Sequence, residues 1–178
     1  MRYESVADIY SAHEKIHAHF AGVLSIVTDD EAKARPAGEK WTIEQIAEHV
    51  AIVEHNMMRL CSRLIDAARE DGKPSDGSFQ MTDEFAARSS SVANVKLDAP
   101  ERVHPQGGVT IARSLERLAE TNAAIDAFRG DLESFDGRAH KFPHPFFGDL
   151  TAAEWLVIRG AHKHRHTDQI KNMLEKVR

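Results

Sequence analysis

The chain has 178 residues, 42% hydrophobic and 29% charged, with 23 Lys+Arg set against 28 Asp+Glu. That length and apolar content suit one domain, residues 1–178, with a core of its own, and they exclude wholesale disorder. A formal charge of −5 argues against a nucleic-acid surface, the single Cys61 excludes a disulfide framework, and no apolar run reaches the ~20 residues of a membrane span. The polar start, Met1 to Tyr10, lacks the basic and apolar regions of a secretion signal, so the expected location is the cytoplasm.

Helical spacing runs through the chain. Ile9, His13, Ile16, Phe20, Val23 and Val27 alternate steps of four and three, predicting a first helix over 3–28. Pro36 and Gly38 then break the pattern. A second helix opens on a capping box, Thr42 with Gln45, and Trp41 before the cap can staple onto Ile46. Ile43, Ile46, Val50, Val53, Met57, Leu60 and Leu64 carry its apolar stripe to about residue 70. Residues 71–107 are rich in Gly, Ser, Pro and Asp, with a short helical turn expected over Thr82 to Arg88. The third helix follows from Ile111, Leu115, Leu118, Asn122, Ile125 and Arg129, and a loop marked by Gly130, Gly137, Pro143, Pro145 and Gly148 comes after it. The fourth repeats the start of the second, with Leu150 as staple, Thr151 as cap, Glu154 at N3 and Trp155 at N4, and runs to about Lys176.

No segment of any length has the period of a strand, so the fold class is all-α and the economical architecture a four-helix bundle. Antiparallel neighbours need only a short loop. The long crossover between helices 2 and 3 therefore permits these two to run parallel, giving up-down-down-up topology.

Eleven histidines are the compositional oddity. Residues four apart on a helix stand roughly 5–6 Å apart at Cβ, so His162 and His166 can point at one ion. His164 is turned away by ~200°. The pair continues the inward row from Trp155 and Ile158 to Ile170 and Met173, where apolar side chains would pack. His49, beside the seam of helix 2, leans toward the interior and offers a third ring. Three neutral imidazoles with an open position make a plan for zinc, nickel or a related ion. Two other arrangements compete. Each ring could hydrogen-bond a carboxylate or carbonyl across the bundle, or His13 and His17 on helix 1 could hold the ion instead, with His13 otherwise an inward pocket residue. His55 points elsewhere, His19 and His104 read as surface residues, and His140 and His144 flank Pro143 and suit a turn.

Three segments then carry a resemblance: Trp41-Thr42-Ile43-Glu44-Gln45-Ile46-Ala47-Glu48-His49, His144-Pro145-Phe146-Phe147-Gly148-Asp149-Leu150-Thr151, and His162-Lys163-His164-Arg165-His166-Thr167-Asp168-Gln169-Ile170. Together they resemble the DinB-like superfamily, and within it the YfiT-like branch of metal-dependent hydrolases. The resemblance implies an up-down-down-up bundle, one divalent ion, zinc or nickel, held by His49, His162 and His166, and an open position for water or substrate. It implies a hydrolase or an S-transferase that takes a low-molecular-weight thiol, and a homodimer. A metal-dependent sensor or binding module without turnover is the alternative from another class.

Arg165 and Gln169 fit the HxxRHxxQ pattern of that resemblance, as a polar contact or a working part of the site. Asn122 interrupts the third stripe and serves either helix register or a hydrogen bond to a ligand. Glu48 and Asp168 diverge by ~100° from the neighbouring ligands and make poor general bases. Cys61 reads as a small packed residue, and Phe146 and Phe147 as a cap on one end of the bundle, with the metal pocket as their second place. Leu24, Ile26, Met58 and Ile65 lie off the main stripes and form a two-fold patch if they share an outer face.

Overall fold

Side-chain caps decide where each long helix begins. The computed structural model describes residues 3–92 and 98–178 and contains α1 (Val6–Ser25), α2 (Asp29–Lys33), α3 (Ile43–Asp71), α4 (Asp83–Val92), α5 (Ile111–Ala127), α6 (Arg129–Ser134) and α7 (Ala152–Val177). Ser5 with Asp8, Thr28 with Glu31, Thr42 with Gln45 and Thr151 with Glu154 each form both halves of a capping box. Thr110 caps α5 by accepting from the Arg113 N–H. α3 stops at Gly72, whose φ of +65 turns its N–H back onto the carbonyls of Ala68 and Arg69.

Cross-helix contacts set the directions. His13 meets Leu156 and His17 meets Lys163, so α1 and α7 run parallel. His49 meets His162 while Cys61 meets Ala152, so α3 opposes α7. Glu48 binds the chain at Gly107, just before α5, and Arg69 binds Asp131, just after it, so α3 and α5 run parallel. The result is a four-helix bundle with up-down-down-up topology, as the long crossover predicts. Residues 93–97 of that crossover lie outside the described residues.

The interior is layered. One apolar cluster holds Ile9, Val53, Met57, Ile125, Trp155 and Leu156; a second holds Phe20, Ile46, Val50, Leu118, Ile170 and Met173. Between them the same helices turn polar side chains inward: His13, His49, Glu54, Arg159, Lys163 and His166 are all buried. The functional question therefore concerns the middle of the bundle.

Some boundaries differ from the sequence expectation. α1 is shorter than 3–28 because Ser5 caps it and the chain turns at Ile26; α4 extends the turn expected over 82–88. β1 (Phe142–His144) and β2 (Gly148–Leu150) pair antiparallel within the expected loop, Phe142 opposite Leu150. The two-fold patch is corrected. Leu24 and Ile65 are core residues, and of the four only Ile26 is a large apolar side chain left exposed. Their departure from the a/d rhythm reflects a buried stripe wider than a coiled-coil seam.

Candidate metal centre

α3 and α7 cross the polar layer in opposite directions and bring His49, His162 and His166 together. His49 lies two turns inside the Thr42 cap; His162 and His166 are one turn apart on α7. The Nε2 atoms of His49 and His166 each stand 3.2 Å from Nε2 of His162, and the three ligand atoms lie within 4.8 Å of one another. A tetrahedral ion with metal–N bonds of about 2.0–2.1 Å needs its nitrogens roughly 3.3 Å apart. The spacing fits.

The outer nitrogens explain which atoms face the centre. His49 Nδ1–H donates to the Val103 carbonyl at 2.7 Å, and His166 Nδ1–H donates to Gln169 Oε1 at 2.9 Å. Gln169 is itself oriented by donating to Glu39, which Lys176 holds from the other side. A neutral imidazole protonated at Nδ1 presents a lone pair at Nε2. Two lone pairs therefore converge on His162 Nε2, which can donate to only one of them. His162 Nδ1 is buried with no hydrogen-bond partner among the described residues. Arg165 reaches His166 Nε2 at 2.9 Å, a cationic donor on the lone pair that an ion would use. The donor set is compatible with a divalent ion, which would have to displace Arg165 from His166.

Burial keeps the rings neutral. It lowers the pKa of His166 to about 3, that of His162 well below the ordinary imidazole value, and that of His49 in the same direction; the Arg165 charge adds to each. Trp41 shields the outer side, its ring 4.8 Å from that of His49 and 5.5 Å from that of His104.

A cavity of about 1210 Å³ opens onto the cluster, with His49 and His162 in its wall. α3, α7, the crossover and the β1–β2 hairpin surround it. The crossover is pinned at three points: Glu154 accepts from the N–H and hydroxyl of Thr82, His49 donates to Val103, and Glu48 accepts from the N–H groups of Gln106 and Gly107.

The competing pair on helix 1 belongs to a second assembly in the same layer. His13 Nε2–H donates to the Leu156 carbonyl at 2.8 Å, and its Nδ1 accepts from Arg159 at 3.0 Å. Arg159 also donates to Glu54 at 2.7 and 2.9 Å and to Asn122, while Lys163 meets Glu54 at 3.0 Å and His17 at 3.3 Å. His13 and Asn122 thus serve this ion-pair network, away from the three-histidine cluster. Arg165 and Gln169 do touch it.

Sequence reasoning missed Glu54, Arg159 and Lys163. The available signal was the matching i,i+4 spacing of His13/His17 and Arg159/Lys163 beside the stripes. His144 takes the expected turn place, its Nδ1 accepting from the Phe146 N–H at 3.1 Å, and its ring is also half-buried in the cavity wall, 4.9 Å from the Trp155 ring, with its pKa lowered to about 4 by burial and then by Arg102. Phe146 and Phe147 line the cavity and take the second of their two expected places. His104 is half-buried, and its Nε2–H donates to the Ala99 carbonyl at 2.8 Å. Cys61 packs against Ala152, its thiol pushed up to about 12 by burial.

The fold and the histidine cluster define a class of helical bundle built around a candidate divalent-ion site. The chain belongs to the DinB superfamily, whose family model matches residues 12–170. It is similar to the uncharacterized protein YuaE of Bacillus subtilis (strain 168), 24% identical over 159 residues that cover 86% of this chain and 90% of that protein. Its fold is similar to that of TT2238, solved as a four-helix bundle protein, with a TM-score of 0.53 and 20% identity over 93% of this chain and 96% of the other.

Proposed function

We propose that this protein is a metal-dependent enzyme that acts on a small molecule held in the cavity beside His49, His162 and His166. The carrying observation is the convergence of two fixed Nε2 lone pairs on a third imidazole at the wall of a large cavity. A divalent ion bound there supplies Lewis acidity and a nucleophile usable at neutral pH. The chain's own residues do the rest. Val103 and Gln169 hold two rings in the metal-binding tautomer, Trp41 excludes water from one side, and Arg165, once displaced, is free to turn toward a bound anion.

The nucleophile is water in a hydrolase and a low-molecular-weight thiol in an S-transferase. The nearby carboxylates favour the thiol. Glu48 is engaged by two backbone N–H groups and Glu39 by Gln169 and Lys176, so neither is placed as a general base. A thiol that coordinates an ion loses its proton without one. The same feature supports the second reading, a metal-dependent sensor without turnover.

The test is metal analysis of purified protein followed by a panel of ester, amide and electrophilic substrates with and without added thiols. About one zinc or nickel per chain and turnover that requires both metal and thiol are expected. Bound metal with no turnover on any arm replaces the enzyme with the sensor.

A further inference from the structure

Seven of the described arginines, 69, 88, 113, 129, 138, 159 and 178, pair with a carboxylate. Arg35, Arg59, Arg63, Arg102, Arg117 and Arg165 do not, and four of these six line the cavity beside the histidine cluster. The acidic chain thus gathers unpaired positive charge around one opening, where Asp98 is the only acidic side chain in the wall among the described residues. Unpaired guanidiniums at a cleft rim raise the local concentration of anions. The floor has the opposite character. Met57, Leu60, Phe85, Phe147, Trp155 and Ile158 give it an apolar, largely aromatic surface.

Position sharpens the point. Arg59 and Arg63 are one turn apart on α3, ten and fourteen residues beyond His49, or roughly 15 and 21 Å along the axis at 1.5 Å per residue. Helical side chains lean toward the N-terminus, which brings both guanidiniums back toward the histidines. Arg165 and Arg102 stand at the near end, Arg102 adjoining the Val103 carbonyl that His49 uses.

We infer that the cavity selects an elongated organic carboxylate with an apolar, aromatic-compatible body, its carboxylate on Arg59 and Arg63. This deepens the proposed function by naming its substrate class, and only the placement of the reacting end at the histidines rests on that reading. Arg63 Nε donates to the Arg59 carbonyl at 3.3 Å, which leaves its two terminal nitrogens, beside the Arg59 guanidinium, as planar donor pairs that match a carboxylate whether or not an ion is bound.

The test uses three matched probes, 4-phenylbutyrate, 4-phenylbutanol and 4-phenylbutylamine, titrated calorimetrically into metal-free and zinc-loaded protein. The carboxylate is expected to bind at least ten-fold more tightly than the alcohol in both forms, with the amine weakest. Arg59→Gln/Arg63→Gln should remove most of that preference with metal content and melting temperature unchanged. Arg113→Gln/Arg117→Gln on α5, away from the cavity, should keep it. Equal binding of carboxylate and alcohol, a preference that survives Arg59→Gln/Arg63→Gln, or a preference seen only with zinc would overturn the inference. Failure of the metal reading shows separately. A carboxylate preference in protein that binds no zinc leaves the anion site standing, whereas zinc binding without the preference removes the anion site alone.

Discussion

Glu39 and Gln169 act on the candidate site without reaching its centre. Gln169 Oε1 can accept from His166 Nδ1–H only while its Nε2 donates to Glu39, so the chain Lys176–Glu39–Gln169–His166 settles which nitrogen of His166 faces inward. Supports of this kind typically govern 10–100-fold in metal affinity. Gln169→Leu should therefore weaken zinc binding by about that factor in a chelator competition, with helix content unchanged. The ligands themselves separate by face: His162→Ala should lose most bound metal, while His164→Ala, changing an exposed residue paired with Asp168, should retain it. Equal retention in both variants removes the assignment. Glu54 tests the other half of the polar layer. Its carboxylate is fully buried under Arg159 and Lys163, and one of its oxygens has no partner among the described residues. Glu54→Gln leaves two buried cations short of their counter-charge, and urea denaturation should show a loss of about 3–5 kcal/mol.

At the scale of elements, side chains of α1 press against the backbone of α7 at Gly160. A Cβ there would meet the His13 ring at 3.2 Å and Ile16 Cδ1 at 3.3 Å. The ring cannot swing aside without breaking its bonds to Leu156 and Arg159. Gly160→Ala gains about 1 kcal/mol of helix propensity. Overpacking against a fixed ring costs roughly 1–3 kcal/mol, so a net loss is expected in thermal unfolding, and a gain would show that His13 is not held. The elements themselves were legible where local chemistry repeats: the Thr42 and Thr151 capping boxes and the four-three rhythm of Ile46, Val50, Val53 and Met57 mark α3 and α7 within a residue or so. The parallel pairing of α3 and α5 followed from loop length alone. Val103 was not legible, because a backbone carbonyl has no side-chain signal. The turn at His144 was legible from its flanking prolines, but its place in the cavity wall was not, because that depends on the hairpin folding onto Trp155. The wide buried stripe that takes in Leu24 and Ile65 is decided by neighbouring helices, which no single helix records.

The molecule as a whole places neutral histidines where protons cannot follow without cost. In the metal-free protein, burial holds His13 and His166 each at about 3, and Arg159 beside His13 and Arg165 beside His166 push the same way. In the unfolded chain the same rings titrate near the ordinary value of about 6.5. Below that value the unfolded state binds protons that the folded state refuses, so the contribution of these rings is full above about pH 6.5 and falls as the pH drops toward the folded values. At pH 5 each such ring costs on the order of 2 kcal/mol. Carboxylates enter later: Glu31, held at about 2 by its hydrogen bond to Arg178, withdraws its contribution only below the ordinary carboxylate range. Urea denaturation of metal-free protein should thus show a loss of about 2–4 kcal/mol between pH 7 and 5, and a shallower rise above pH 7, because burial lowers Lys163 to about 8 and the folded state gives up that proton before the unfolded chain does. Bound zinc should steepen the fall over the same window, since protons then compete for His49, His162 and His166 as well. A flat profile between pH 7 and 5 in the metal-free protein would mean that the polar layer opens to water before the helices separate.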